Sequence, residues 1–351
     1  MNIQQALAHL VEGEDLAQAD MADVMRQLMS GECTDAQIGA LLVALRIKGE
    51  TIEEIAGAVE VMRSLAAPVH ISEEASVHLV DLVGTGGDGA SLFNVSTAAT
   101  FVVAAAGANV AKHGNRSVSS TSGSSDVLEQ LGVPLDLSPD QVARAVEEVG
   151  MGFMFAPSHH SAMRYAVGPR RELGMRTLFN ILGPLTNPAG VQRQLIGVFS
   201  ADLCLPIAQV LKMLGAKHVM VVHAEDGLDE ISIAADTQVA ELLDGSISEY
   251  KLSPSDFSYE KESLEGLSVN GSKESAELIR AALSGKETDD RARKASAIIA
   301  LNAGACIYVS GIAATQADGV ALAQDLIATG QALEKLDQFV EFTQLMSAGG
   351  Q

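Results

Sequence analysis

The chain has 351 residues, enough to bury a large core and to divide into two domains. Its formal net charge of −22 argues against nucleic acid and anionic membrane as partners. Cys33, Cys204 and Cys306 are few, odd in number and far apart, which fits a reducing cytosol and argues against structural zinc.

Met1 to Asp15 is amphipathic and acidic and does not read as a signal peptide. Residues 1 to about 67 read as four helices with no strand signal. Leu42, Leu45 and Ile47 belong to one apolar helix, and Ile52, Ile55, Val59 and Met62 repeat at helical spacing in the next. Thr34 with Gln37, and Thr51 with Glu54, are spaced as capping boxes, and Pro68 closes the block. From Val77 short β-branched runs alternate with helices: Val77–Val83, Asn109–Lys112, Gly152–Phe155, Leu195–Val198 and His218–His223. The alternation predicts βαβ units and a mostly parallel sheet. Antiparallel edge strands are expected over Val239–Leu252, and helices again from Glu274 to Ala348. The most apolar stretch, Thr97–Ala111, is shorter than the ~20 residues of a membrane span and reads as a buried helix and strand. Arg164–Leu185 interrupts the alternation with a helical pattern and the turn Gly183-Pro-Leu-Thr-Asn-Pro188. It is expected to pack on the N-terminal helices, giving a helical domain of residues 1–67 plus about 164–188, hinged to an α/β domain of 68–351.

Two segments carry the chemistry. Gly84-Thr-Gly-Gly-Asp-Gly89 follows an apolar strand and leads through Asn94-Val-Ser-Thr97 into an Ala-rich helix. Glycines let backbone N–H groups close around an anion, and a helix start adds free donors and a positive dipole end. Lys112-His-Gly-Asn-Arg-Ser-Val-Ser-Ser120 follows the next strand with a lysine, an arginine, an asparagine and hydroxyls. Together they predict a pocket for a sugar carrying several phosphates. The glycine spacing alone would suggest a dinucleotide fold, but residues 102–111 hold no acid for a ribose. Charge is uneven along the chain. Lys112 to Arg193 holds eight of the 23 basic residues against seven acids, a net of +1, which leaves −23 (15 basic, 38 acidic) for the rest. Arg164, Arg170, Arg171, Arg176 and Arg193 share their stretch with Glu172 alone, which places positive charge where the ligand should be. His223-Ala-Glu-Asp-Gly-Leu-Asp-Glu230 lies just past a strand and packs four carboxylates together. If Asp229 and Glu230 are extended, they point to opposite faces and could reach two different ions or bridge them. A carboxylate beside a phosphate is repelled by ~4 kcal/mol at an effective dielectric near 20, and Mg²⁺ reverses that sign.

These motifs identify the chain as similar to anthranilate phosphoribosyltransferases. The resemblance rests on Gly84 to Asp88, Asn94 to Thr97, Lys112 to Arg116, Arg170 before Glu172-Leu-Gly, Phe179 to Pro188, and Asp226 to Glu230. It implies transfer of the phosphoribosyl group of phosphoribosyl pyrophosphate to the amine of anthranilate, the second step of tryptophan synthesis from chorismate. It also implies a homodimer formed through a small helical domain, and a cytoplasmic setting. By the same resemblance Gly84, Gly87, Asp88, Asn94, Ser96, Thr97, Lys112, His113, Gly114, Asn115, Arg116, Ser117, Val118, Ser119, Ser120 and Ser124 hold the sugar donor. Gly84, His113, Asn115, His160 and Arg170 line the anthranilate path, Ser96, Asp229 and Glu230 bind Mg²⁺, and Lys112, Arg170 and Asn115 serve catalysis. Leu92 and Ser161 depart from the family pattern, where Thr and Pro are frequent. A pyrimidine nucleoside phosphorylase and a non-catalytic nucleic-acid-binding relative share the architecture. The first needs no paired metal carboxylates, and the second needs a basic surface that −22 does not provide.

Overall fold

The computed structural model describes residues 1–116, 122–286 and 289–348. Four helices open the chain: α1 (Ile3–Val11), α2 (Gln18–Ser30), α3 (Asp35–Lys48) and α4 (Ile52–Leu65). Both expected capping boxes form, with Thr34 accepting from the Gln37 N–H and Thr51 from the Glu54 N–H, and α1 carries a third from Asn2 and Gln5. Each such cap stabilises its helix by about 1 kcal/mol. Leu42, Leu45, Ile55, Val59 and Met62 are buried, but Ile47 on α3 is 82 % exposed, on the face opposite the stripe of Ile38, Leu41, Leu42 and Leu45.

The short α5 (Glu73–Ser76) leads into β1 (Leu79–Gly84), which starts two residues later than its apolar run because Val77 faces solvent. Then follow α6 (Val95–Ala105), β2 (Asn109–Gly114), α7 (Ser124–Leu131), α8 (Pro139–Val149), β3 (Met151–Phe155) and α9 (Ala156–His159). Next come α10 (Arg164–Leu173), α11 (Phe179–Leu185), β4 (Arg193–Gly197), α12 (Cys204–Met213), β5 (His218–Ala224), β6 (Thr237–Leu243) and β7 (Ser246–Leu252). The chain closes with α13 (Ser272–Leu283), α14 (Asp290–Ser310), α15 (Gln316–Ala328) and α16 (Gln331–Ala348). The seven strands form one sheet in the order β3-β2-β1-β4-β5-β6-β7. The first five neighbours run parallel, and β5-β6-β7 run antiparallel at one edge. A small helical unit beside a mostly parallel α/β sheet is the fold class the sequence implied.

One face of the sheet packs on α6 and α14, whose run from Ala295 to Ile307 is buried on nearly all sides, as a central helix requires. The other face shares a core with α1–α4, α10, α11 and α12. The 164–185 segment contributes Ala166, Phe179, Ile181, Leu182 and Leu185 to that core. Its expected rigid turn is half helix: α11 runs through Gly183 and Pro184 to Leu185. No helix among the described residues is long and apolar enough to cross a membrane.

Candidate active site at the strand ends

The parallel strands bring the loops after β1, β2, β4 and β5 to one end of the sheet, where open α/β folds bind ligands. After β1 the chain turns at Gly86, Gly87 and Gly89, with φ of 67°, 82° and 76°, values that only glycine adopts freely. The Thr85 N–H donates to Gly197 O at 2.9 Å, and Thr85 Oγ1 accepts from the Phe199 N–H at 3.1 Å, which ties this loop to the end of β4. Arg176, from the loop between α10 and α11, donates to Gly87 O and lies 4.2 Å over the Phe199 ring.

Asp229 and Glu230 do not sit in an extended strand. They follow β5 in a bend, with the backbone of Ile231 clamped by the buried Asn302 of α14, which accepts from its N–H and donates to its carbonyl, both at 2.9 Å. The bend sends the two carboxylates to two arms of the pocket. Asp229 Oδ2 accepts from the Gly86 N–H at 2.7 Å, and Glu230 Oε1 accepts from the Ser96 N–H at 3.2 Å. Burial first, then the charge of Asp88, pushes Asp229 up to about 6. Burial and the charge of Asp229 raise Glu230 well above the usual carboxylate range. Two repelling, desolvated carboxylates with the Ser96 hydroxyl beside them make an all-oxygen donor set suited to a hard cation. Among the described residues no three carboxylate, histidine or cysteine side chains converge to hold an ion alone, so substrate oxygens would complete the shell.

Three backbone donors at the start of α6 are already engaged. The Ser96 N–H goes to Glu230, the Val95 N–H to Phe93 O, and the Asn94 N–H to Ser275 Oγ. Asn94 Nδ2 reaches forward to Ser122 O at 3.1 Å, linking the helix start to the second segment. The Thr97 hydroxyl is buried without a partner among the described residues.

Lys112 is not a loop cation. It lies within β2, only 2 % exposed, and its Nζ donates to Leu82 O at 2.5 Å and to Ser96 Oγ at 3.4 Å. Burial lowers its pKa, and Asp81 and Glu230 hold it up. Arg116 is also committed: it pairs with Asp126 at 2.9 Å and Glu129 at 2.7 Å, so it meets a phosphate only by leaving them. Asn115 is exposed at the mouth, and Gly114 admits Ser124 so closely that a Cβ would overlap its hydroxyl. Ser117, Val118, Ser119 and Ser120 lie outside the described residues.

His113 and His160 face each other with ring centroids 5.1 Å apart. His113 Nδ1 donates to Gly183 O at 3.2 Å, and the Nε2 atoms of both rings are buried without partners among the described residues. Burial, with a neighbouring histidine, pushes His113 down to about 3 and His160 to about 4, so both are neutral. Two neutral rings with open nitrogens suit an aromatic guest that carries polar groups. Arg170 on α10 is half-buried, stacks 5.2 Å over Phe179 and makes no ion pair among the described residues. Of the other arginines, Arg164 donates to the Tyr165 hydroxyl, and Arg193 starts β4 at the opposite end of the sheet, capping α14 at Val309 O. The positive charge at the cleft is thus narrower than the count along the chain implied. Leu92 packs on the main core and bridges to Ser268, in place of a hydroxyl, and Ser161 is exposed at the turn before α10.

The glycosyl transferase family models match almost end to end: the helical bundle domain over residues 4–66 and the a/b domain over 76–333. An anthranilate phosphoribosyltransferase of Saccharophagus degradans is 61 % identical over 98 % of this chain and 100 % of its own length. The chain belongs to the anthranilate phosphoribosyltransferase family. The crystal structure of the Thermus thermophilus anthranilate phosphoribosyltransferase is 42 % identical and superposes with a TM-score of 0.89, covering 97 % of this chain and 99 % of that one. The Saccharomyces cerevisiae enzyme in complex with PRPP and Mg is 27 % identical with a TM-score of 0.88, covering 97 % and 98 %.

Four residues that shape this end of the sheet were not singled out from the sequence. Asp81 stood out only as an acid inside an apolar strand run, and Asn187 as part of an Asn-Pro turn. Asn302 and Gly197 gave no signal, because each acts on the backbone of a segment distant in the chain.

Proposed function

We propose that this chain transfers the phosphoribosyl group of phosphoribosyl pyrophosphate to the amine of anthranilate, releasing pyrophosphate, in the second step of tryptophan synthesis from chorismate. The observation that carries the reading is the convergence of the glycine turn, Ser96, Lys112, Asp229 and Glu230 at one end of the sheet. The glycine turn and the Lys112 segment hold the sugar donor, and Ser96, Asp229 and Glu230 hold Mg²⁺. Bound there, Mg²⁺ neutralises charge on the pyrophosphate leaving group. An arylamine has a free lone pair at neutral pH, so no general base is needed at the nucleophile. Lys112 and the loop N–H groups stabilise the departing oxygens from a desolvated floor. Arg170 clamps the anthranilate carboxylate, while His113, His160 and Asn115 line its path and aim the amine.

The reading extends to the assembly. The helical unit of residues 1–67, with 164–188 packed on it, closes on residues 68–351, supported by Arg176 already reaching across to Gly87 O. A homodimer forms through the helical unit, supported by Val11 and Ile47, 75 % and 82 % exposed there. The cytoplasm is the setting, supported by three buried free cysteines. Mixing the protein with phosphoribosyl pyrophosphate, Mg²⁺ and anthranilate and following loss of anthranilate fluorescence tests the activity. No loss with the complete mixture rejects it.

A further inference from the structure

The ladder between β1 and β2 opens before the strands end. Leu79 and Val80 pair with Asn109 and Val110, but from Asp81 onward β1 pairs only with β4 while β2 continues along β3 to Gly114. A split ladder leaves buried N–H and C=O groups unpaired, each a cost of several kilocalories unless something fills it. Side chains fill this one. Asp81 Oδ1 accepts from the His113 N–H at 3.3 Å, and Asp81 Oδ2 accepts from Asn187 Nδ2 at 2.7 Å. Asn187 Nδ2 also donates to Ala111 O at 2.8 Å, and Asn187 Oδ1 accepts from the Ala189 N–H at 2.9 Å, which fixes the amide's orientation. Lys112 Nζ takes the remaining carbonyl, Leu82 O. Asp81 is fully buried and Asn187 is 3 % exposed, and the polar atoms of both are spent on this backbone gap.

We propose that Asp81 and Asn187 form a positioning wedge that holds β1 and β2 apart and so sets Lys112 and His113 for the transfer reaction. The wedge fixes His113 at its backbone N–H through Asp81. It also fixes the His113 ring, because Asn187 anchors the segment whose Gly183 carbonyl accepts from Nδ1. That leaves the buried His113 Nε2 lone pair without a partner among the described residues, beside the His160 ring. Asn187 arrives from the helical return segment, so the wedge also joins the two sides of the cleft. This inference rests on the transferase reading for its kinetic consequences but not for its geometry.

The test compares Asn187→Ala with Asn187→Asp, counting turnover per site that is competent to bind phosphoribosyl pyrophosphate. A wedge that works by donating predicts that the isosteric Asn187→Asp, which sets acceptors against Asp81 and Ala111 O, loses more kcat than Asn187→Ala. We expect roughly tenfold for Ala and a hundredfold for Asp, with KM for the sugar donor nearly unchanged. A space-filling role predicts the reverse order. In parallel, ¹⁵N shifts of the His113 ring in the ligand-free protein should report a single Nδ1–H tautomer that becomes mixed in Asn187→Ala. An Asn187→Asp protein at least as active as Asn187→Ala overturns the proposal, as do unchanged ring shifts in both. If Asn187→Asp does not fold, Asn187→Ala decides: wild-type kcat per site with wild-type ring shifts overturns it. Should the wild type lack transferase activity, the transferase reading falls while the ring shifts still decide the wedge.

Discussion

Gly84 ends β1 with its bare Cα against Asp229. A Cβ there would overlap Asp229 Oδ2 and lie 3.1 Å from its Cγ. Carbon–carbon contact is most favourable near 3.5–4.0 Å, so Gly84→Ala drives the carboxylate back by roughly 0.5–1 Å. The Asp229 bond to the Gly86 N–H is 2.7 Å, and that retreat stretches it past a good hydrogen bond. Losing a charge-assisted bond of this kind costs roughly 1.5–3 kcal/mol, a clear fall in melting temperature but not unfolding. Catalysis should suffer more, because a misplacement of about 1 Å in a supporting group costs about a hundredfold in rate. Gly197→Ala is the contrast. Its Cβ would overlap Asp229 O and sit 2.5 Å from the Asp229 carbonyl carbon, and backbone has no rotamer by which to retreat. It should lose more stability than Gly84→Ala. Thermal unfolding without metal and magnesium titration of turnover separate the two effects. Wild-type magnesium dependence and wild-type turnover in Gly84→Ala refute the placement of Asp229 as a metal ligand anchored by the glycine turn.

Arg170→Ala should raise KM for anthranilate roughly tenfold or more while leaving phosphoribosyl pyrophosphate binding nearly intact; unchanged anthranilate kinetics reject the clamp. Replacing Asp229 and Glu230 together by Asn and Gln should lower turnover by about 10²-fold or more, and full activity there or in EDTA removes the metal from the account. His113 titrates near 3 in the fold and near 6.5 in the unfolded chain, so below pH 6.5 only the unfolded chain takes the proton. Stability from this group is therefore complete above pH 6.5 and declines as pH falls. His113→Gln should reduce the stability lost between pH 7.5 and 5 by about 2 kcal/mol in urea unfolding, and equal losses contradict a neutral buried ring.

The elements that position the site were legible because local patterns wrote them. β-Branched runs and capping boxes marked β1, β2, α3 and α4 within about two residues. The glycine turn was legible because glycine best serves at Gly86, Gly87 and Gly89, three left-handed positions within four residues. What the cations do was not legible. Lys112 reads as a phosphate contact by composition, yet the β1/β2 split draws it inward to Leu82 O. Arg116 reads as free charge, yet Asp126 and Glu129 sit one and two turns along α7 and take it. Partner choice across ten or more residues depends on how strands splay and helices dock, which periodicity does not encode. Asp229 and Glu230 show the same limit: their pairing was visible, but the bend that divides them is imposed by Asn302 from a helix some seventy positions on.

Glu230 also explains how an acidic protein keeps an anion site poised without leaving it open. Its carboxylate occupies the Ser96 N–H at the start of α6, and Lys112 lies beside the same Ser96. Without metal, an incoming pyrophosphate meets a filled amide, and each nearby carboxylate that is ionised repels it by ~4 kcal/mol at an effective dielectric near 20. Glu230→Ala removes both obstacles. It should therefore bind inorganic pyrophosphate more tightly than the wild type in EDTA, by roughly tenfold or more once screening is allowed for, while losing magnesium-dependent turnover. Isothermal titration calorimetry in EDTA measures the first quantity, and the anthranilate fluorescence assay the second. Weaker metal-free pyrophosphate binding in the variant would mean that Glu230 supports the anion site directly, and the exchange of carboxylate for phosphate at Ser96 would have to be abandoned.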